Sequence, residues 1–348
     1  AWVSSRPGSQ LALKGVDVIL NPSASHFAFG KHEIRKRFVA EGSRAFGVSY
    51  IYSNLLGNEA GRVIYDGGAI VASLGDIVAS GSRFSFADRE VTAAIIDVEM
   101  TRMNQARTSS FKPNLQDTAE SCVRVDFKFR AQRLETGEAV DTVSSEWEAS
   151  DHFKEEEFTR AVSLALYDYM RKSSSRGFIV SLSGGVDSAA VAMLIHLTAT
   201  LGAGQLGVDG FYKKLDYLKK PKGINRKSAA RDITRQLLTC AYQATRNSSA
   251  ATRNAAQTLA ESIGAEFHCF DVDPLVREYR SMIEKSIDRK LSWETDDIAL
   301  QNIQARVRAP GVWLLANLKG ALLVSTSNRS EAAVGYATMD GDTCGGLS

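Results

Sequence analysis

The sequence is poor in the residues that announce a chemistry. Four cysteines (Cys122, Cys240, Cys269, Cys344) stand far apart with no Cys-x-x-Cys pair, so they suggest no disulfide framework and fit a reducing cytoplasm. Five histidines (His26, His32, His152, His196, His268) show no metal-ligand spacing. A net charge of +2 gives no global attraction for nucleic acid or for a membrane surface. No apolar run reaches the roughly 18 residues of a membrane span. No charged-then-apolar leader opens the chain, and no repeat of about 20–50 residues is visible.

What is present is ordinary for a globular protein: 44% apolar and 24% charged residues over 348 positions. That length suggests two domains or one large one. The chain opens on Ala1 and closes on "GDTCGGLS", so the expectation is an internal piece of a longer chain.

The first half reads as a layered α/β domain over residues 1–107. Residues 15–25 read as a buried strand running into a small-residue turn. Residues 31–47 read as a helix with Ile34, Phe38, Val39 and Phe46 on one face and Gly47 as its stop. Short β-type stretches follow at 48–54, at 69–82 around a Leu-Gly-Asp turn, and at 91–99. Residues 108–151 read as a linker with some β structure near 122–129. Residues 154–173 form a strong amphipathic helix, with the Glu155–Glu157 cluster favourable to its dipole.

From 152 to 348, strands alternate with helices, which implies a doubly wound parallel sheet. Strands are expected at "GFIVSLS", "LLTCAYQ", "AEFHCFDVD" and "ALLVSTS". A helix over 248–264 has a serine cap and a glycine stop. The stretch from Asp297 to Gly320 is helical with a Pro-Gly interruption. The basic stretch 210–236 reads as a solvated insertion. Cys240 and Cys269 read as core, Trp293 and Trp313 as packing residues in helices, and His196 as a core or solvent group.

One stretch stands out: "SLSGGVDS", residues 181–188, between an apolar strand and an apolar helix. Such a turn lies at the carboxyl edge of a parallel sheet, where doubly wound folds bind ligands. Gly184 and Gly185 permit close approach of an anion, and the following helix offers unpaired N–H groups. Ser181, Ser183 and Ser188 add hydroxyls. A Walker A loop would place a lysine here, whereas this one carries Asp187. An acid beside phosphates is sensible where Mg²⁺ bridges them. That favours cleavage between the α- and β-phosphates of ATP over γ-phosphate transfer. The alternative is a structural turn.

Ser-Gly-Gly-x-Asp-Ser after a strand resembles the signature of the ATP pyrophosphatase superfamily. Together with "LQNIQARVR", "STSNRSEAAVGYATMDGD" and "TRNSSAATRNAAQTLAESIG", it resembles the NAD⁺ synthetases. These adenylate the nicotinate carboxylate of deamido-NAD with ATP, then displace AMP with ammonia. The resemblance implies ATP contacts at Ser181, Ser183, Gly184, Gly185, Asp187, Ser188 and Thr326. It implies deamido-NAD contacts at Asn302, Glu331, Tyr336, Ala337, Thr338 and Met339, and Mg²⁺ ligands at Asp187 and Glu331. For Glu331 the alternative is an acid that complements its helix dipole.

The first half, through "GVDVILNPSASHFAFGKHEIRKR", resembles the later part of a nitrilase-like glutaminase domain, and "KEEEF" to Leu166 matches the lead-in to the synthetase domain. Ser25 and Lys31 then fall where such enzymes hold glutamine; for Ser25 the alternative is a turn hydroxyl. The usual residue at the second position is Arg, whose bidentate grip on a carboxylate Lys does not reproduce. The glutaminase Glu, Lys and Cys fall before Ala1 in that pattern, so this piece is expected not to hydrolyse glutamine alone. Homo-oligomers are expected by analogy. The competing readings are a GMP synthetase-like or tRNA-thiolating relative and a non-catalytic nucleotide-binding fragment.

Overall fold

The structure, a computed structural model, describes residues 5–59, 63–114, 122–128, 145–225, 227–335, 341 and 343–347. Two compact units divide between Ala161 and Val162.

The first unit runs α1 (Pro7–Leu13), β1 (Val18–Ser23), α2 (Lys31–Phe46), β2 (Ser49–Asn54), β3 (Leu56–Glu59), β4 (Val63–Asp66), β5 (Ala69–Ser73), β6 (Asp76–Ser80) and α3 (Val98–Arg107). A 3-10 turn at Glu146–Ala149 precedes α4 (Phe153–Ser173), which carries the chain into the second unit. The main sheet has the order β1-β2-β5-β6, parallel at the first pair and antiparallel after it. β3 and β4 form a separate ribbon. The Leu-Gly-Asp turn joins β5 to β6 as expected, with Leu74 and Gly75 both at positive φ.

Helix α2 departs from its expected apolar stripe. Val39 and Phe46 are buried against Val48, Tyr50 and Ile70, but Ile34 is exposed. His32 and Arg35 are buried in its first turns instead. They lie there because the unit holds an ionic cluster under α2. Asp66 at the end of β4 accepts from Arg35 Nη1 through both carboxylate oxygens at 2.7 Å. Arg83 Nη1 lies 3.7 Å from the same carboxylate. Arg83 also donates to Glu148 and to Glu157, each at 2.7 Å, and lies 4.9 Å from the Trp147 ring centroid. His32 stays neutral here, its pKa pushed down to about 2 by burial and by the Arg83 charge.

The expected dipole role for the whole Glu155–Glu157 cluster is therefore corrected. Glu157 is fully buried and serves Arg83. The strand expected over 91–99 is also absent. Residues 91–97 form no ladder, Val91 and Ile95 are exposed, and α3 begins at Val98. Alternation favours a strand, but a strand needs a neighbour to pair with. Residues 122–128 likewise carry no strand.

The second unit continues with β7 (Phe178–Ser181), α5 (Val186–Lys214), α6 (Ala229–Leu237), β8 (Leu238–Ala244), α7 (Ala250–Ile263), β9 (Glu266–Asp271), α8 (Asp273–Ser286), α9 (Asp297–Arg306), α10 (Arg308–Lys319), β10 (Leu322–Val324) and α11 (Arg329–Val334). Its four strands are all parallel in the order β10-β7-β8-β9. The order reverses at β7, which has β8 on one side and β10 on the other. The expected α/β doubly wound sheet is present, and its switch point is the end of β7.

Several local expectations change. Residues 210–236 are not a solvated insertion: Phe211, Leu215, Leu218 and Ile233 are buried, so the basic side chains are the outer face of packed structure. Helix α5 is long and apolar enough (mean hydropathy 1.4) to cross a membrane by length and composition, contrary to the reading of the sequence. It breaks at Gly207, whose backbone is not helical, and packs on β7, β8, α6 and α7, with Ala192, Ile195 and Ala199 fully buried. The helical break after α9 falls at Val307, before Pro310, which sits in the first turn of α10 where its missing N–H costs nothing. Cys240 is buried and its thiol pushed up to about 12 by desolvation, while Cys269 is exposed on the edge strand β9. Trp293 lies in a turn rather than a helix, about half exposed.

Removing Glu157 would strand the Arg83 charge in the interior. Glu157→Ala should destabilise the first unit by about 3–5 kcal/mol, read as an earlier urea transition of that unit. A transition at the wild-type midpoint would show that Glu148 and Asp66 alone satisfy Arg83.

Candidate functional site

The loop after β7 is shaped by one close contact. Gly184 has φ +83°, and a Cβ built there would lie 2.3 Å from the carbonyl oxygen of Thr252 in the first turn of α7. Only glycine allows both that conformation and that approach. Serines tie the rest of the loop. Ser188 Oγ accepts from the backbone N–H of Ser183 at 3.2 Å and donates to the carbonyl of Gly185 at 3.1 Å. Ser183 Oγ accepts from the N–H of Gly185 at 3.2 Å and lies 3.0 Å from Ser188 Oγ.

The helix that follows has an open end. Gly185 is the N-cap of α5 and offers no capping side chain. The first N–H groups of a helix have no intrahelical partner, so α5, helical from Val186 up to the break at Gly207, directs unpaired donors and its positive dipole end at the loop. Val186 and Asp187 are exposed beside them.

A second strand end meets this one. Beyond β10, Asn328 caps α11 in a reciprocal box: its Oδ1 accepts from the N–H of Glu331 at 2.9 Å, and its own N–H donates to Glu331 Oε2 at 3.2 Å. The Asn328 amide also donates to Asp187 Oδ1 at 3.3 Å. Asp187 and Glu331 therefore flank one asparagine, which the sequence reading passed over. Its signal was legible as the Asn-x-x-Glu capping pattern. Ser181 and Thr326 share the lining of a cavity of about 40 Å³ with Gln243, Arg308 and Val312. Gln243, also not singled out from sequence, donates to Ser181 Oγ at 2.9 Å and has its Oε1 buried without a partner.

Thus the structure gathers Ser181, Ser183, Gly184, Gly185, Asp187, Ser188, Thr326 and Glu331 around the ends of β7 and β10. Asn302 is half-buried on α9. Tyr336, Ala337, Thr338 and Met339 lie outside the described residues. Ser25 and Lys31 belong to the first unit, where Lys31 Nζ donates to the carbonyl of His26 at 2.9 Å. Among the described residues no group of three or more His, Cys, Asp or Glu side chains could hold a metal by itself.

The segment entering α9 is fixed by acids. Glu284 accepts from Lys290 Nζ, from Arg280 Nε and from the N–H of Leu291, which together hold its carboxyl down at about 2. Asp296 is held well below the usual range by Arg289 and the N–H of Ser292.

The family model described as NAD synthase matches residues 158–348. The chain belongs to the NAD synthase family. The loop of residues 181–188 and the β10 end both lie inside that match. Among curated proteins, a glutamine-dependent NAD(+) synthetase of Oryza sativa subsp. indica is 31% identical over 367 aligned residues, covering 97% of this chain and 48% of that protein. The Homo sapiens glutamine-dependent NAD(+) synthetase is 30% identical and covered to 49%. The solved glutamine-dependent NAD(+) synthetase of Cytophaga hutchinsonii is 42% identical with a TM-score of 0.76, over 96% of this chain and 50% of that one. That of Acinetobacter baumannii, solved with ADP, shares the fold at 20% identity and TM-score 0.65, over 97% of this chain and 49% of that one. The chain spans about half the length of the relatives it matches.

Two outcomes test this site. Gly184→Ala forces the loop off Thr252 and adds about 1–2 kcal/mol of left-handed strain. It should weaken ATP binding by at least about tenfold in calorimetry while the fold persists; unchanged affinity would show that the loop is not the anion cradle. Glu284 has a depressed pKa, so its contribution to stability is present above the unfolded value of about 4.3 and is lost as pH falls through about 2. The difference in melting temperature between wild type and Glu284→Gln should therefore be full at neutral pH and shrink on acidification below about pH 4. A difference that does not change with pH would refute the charge-based anchoring.

Proposed function

We propose that the full protein amidates deamido-NAD to NAD⁺ at the expense of ATP, releasing AMP and pyrophosphate, with glutamine as the source of ammonia. The observation that carries this reading is the uncapped N-terminus of α5 with an acid, Asp187, in its first turn. The family membership and the names of the relatives support the choice of substrate. On this reading the full protein is a ligase, forming a carbon–nitrogen bond.

In this reading the reaction runs through an adenylated carboxylate. The N–H groups of the α5 first turn hold the β- and γ-phosphates, which leave together as pyrophosphate. An oxygen of the nicotinate carboxylate attacks the α-phosphorus, and the bond from that phosphorus to the bridging oxygen breaks. Ammonia then attacks the acyl carbon, the bond to the AMP oxygen breaks, and the nitrogen loses its extra proton. Binding positions both partners, so most of the acceleration comes from orientation and from stabilising charge on the phosphates.

The residues present suit a magnesium nucleotide rather than a metal held by protein alone. Mg²⁺ is commonly held by one or two carboxylates, with substrate phosphates and water completing the shell. Asp187 and Glu331, on either side of Asn328, are those carboxylates in this reading. When bound, the ion neutralises charge on the phosphates. Asn328 holds the Asp187 carboxylate toward the loop, and Thr326 and Ser181 line the adjoining cavity. Asn302 and the 336–339 segment contact deamido-NAD.

In the first unit, Ser25 and Lys31 hold glutamine within a nitrilase-like glutaminase fold. By analogy with such domains, the protein is a homo-oligomer.

Full-length protein given deamido-NAD, ATP, Mg²⁺ and ammonia should yield NAD⁺ and AMP. Asp187→Ala should lower that rate by at least about a hundredfold while leaving glutamate release from glutamine partly intact. Production of ADP, or NAD⁺ synthesis at the wild-type rate in the variant, would refute the proposed chemistry.

A further inference from the structure

The turn that carries Ser25 has no secondary structure of its own. Residues 24–28 lie between β1 and α2 without helix or strand. Its backbone polar groups are met largely by side chains. The Ser25 N–H donates to Asn54 Oδ1 at 2.8 Å, and the Ser25 carbonyl accepts from Asn54 Nδ2 at 2.9 Å and from Arg35 Nη2 at 2.7 Å. The His26 carbonyl accepts from Arg35 Nη2 at 3.0 Å and from Lys31 Nζ at 2.9 Å. Arg35 Nε lies 3.2 Å from Ser25 Oγ, as a donor to it.

Arg35 is 3% exposed, too deep to reach solvent or to meet a ligand freely. It is fixed from behind by Asp66, which is 1% exposed and also accepts from Asn54 Nδ2 at 2.7 Å. One guanidinium thus does three things that a lysine cannot do together. It pairs with Asp66, pins two successive carbonyls, and occupies an acceptor site on the Ser25 hydroxyl. Lys31 is placed by the same turn through the His26 carbonyl.

We propose that Arg35, backed by Asp66 and Asn54, is a positioning residue for glutamine binding: it sets the Ser25 hydroxyl and the Lys31 ammonium in the places from which they hold the substrate. This rests on the reading of Ser25 and Lys31 as glutamine contacts. Ser25 Oγ accepts from Arg35 Nε, and the same side chain hydrogen-bonds to Tyr52; turned from Tyr52 to the substrate, its O–H donates to a carboxylate or carbonyl oxygen of the amino acid. The planar fork makes the arrangement rigid before the substrate arrives.

The test uses full-length protein and compares glutamine with ammonia as nitrogen donors. Arg35→Lys keeps a charge for Asp66 but loses the fork. It should raise the KM for glutamine at least about tenfold, since small displacements of a positioning group are costly, while the ammonia-supported kcat stays within about twofold. Asn54→Ala, which leaves the Arg35–Asp66 pair, should shift the glutamine KM the same way by a smaller factor. Arg102→Ala, which breaks the partly exposed pair with Asp17 outside the Arg35–Asp66 cluster, is the control. It should leave the glutamine KM unchanged.

An unchanged glutamine KM in folded Arg35→Lys and Asn54→Ala would overturn the proposal, and so would parallel loss of glutamine- and ammonia-supported rates. If the wild-type protein uses ammonia but not glutamine, the glutaminase reading itself fails. If Ser25→Ala leaves the KM untouched while Arg35→Lys raises it, the contact reading fails and the role assigned to Arg35 falls with it.

Discussion

The candidate site depends on the approach of Gly184 to the Thr252 carbonyl. The β7 loop can lie against the α7 N-terminal turn only where no Cβ intervenes. Once it lies there, Ser183 and Ser188 can close on each other, and the chain enters α5 with Gly185 as an N-cap that has no side chain. Every polar group that this loop could offer to a phosphate follows from that packing. The contact in turn requires the parallel order β7-β8, since α7 follows β8 and reaches the loop from the neighbouring strand end.

Stability and site are arranged differently in the two units. In the second, Ile179, Ala241 and Leu323 of the sheet pack against Val312 and Ala316 of α10 in an apolar cluster. In the first, a charged cluster runs from Arg35 through Asp66 and Arg83 to Glu157 in the interior. Such clusters are sensitive to the loss of one member, because each charge left alone in a low-dielectric interior is costly. The same sensitivity gives one geometry to the residues at its edge, among them the Ser25 turn.

The motifs with strong local rules were legible in the sequence. Ser-Gly-Gly-x-Asp-Ser after an apolar strand, the glycine stop at Gly264 and the Leu-Gly-Asp turn each take the expected conformation, since each is determined by a few adjacent residues. Gln243, Asn328 and Arg35 were missed for the opposite reason. Each sits in an ordinary strand, turn or helix, and its role comes from a partner 62, 141 or 31 residues away. The stretch 91–99 was misread because alternation records a preference for extended backbone and says nothing about whether a neighbouring strand is present.

By itself the sequence determined the doubly wound second half, the glycine-rich loop at a strand–helix junction, and the acid where a Walker loop would hold lysine. These follow from local propensity, hydrophobic period and side-chain charge, which neighbours in sequence largely fix. Only the tertiary structure decided which strand ends meet, that Asp187 and Glu331 flank Asn328, that α5 packs on β7 and β8, and that Glu157 is buried beneath Arg83. Those outcomes depend on which surfaces exclude water together, and that is a property of the packed chain rather than of any short stretch of it.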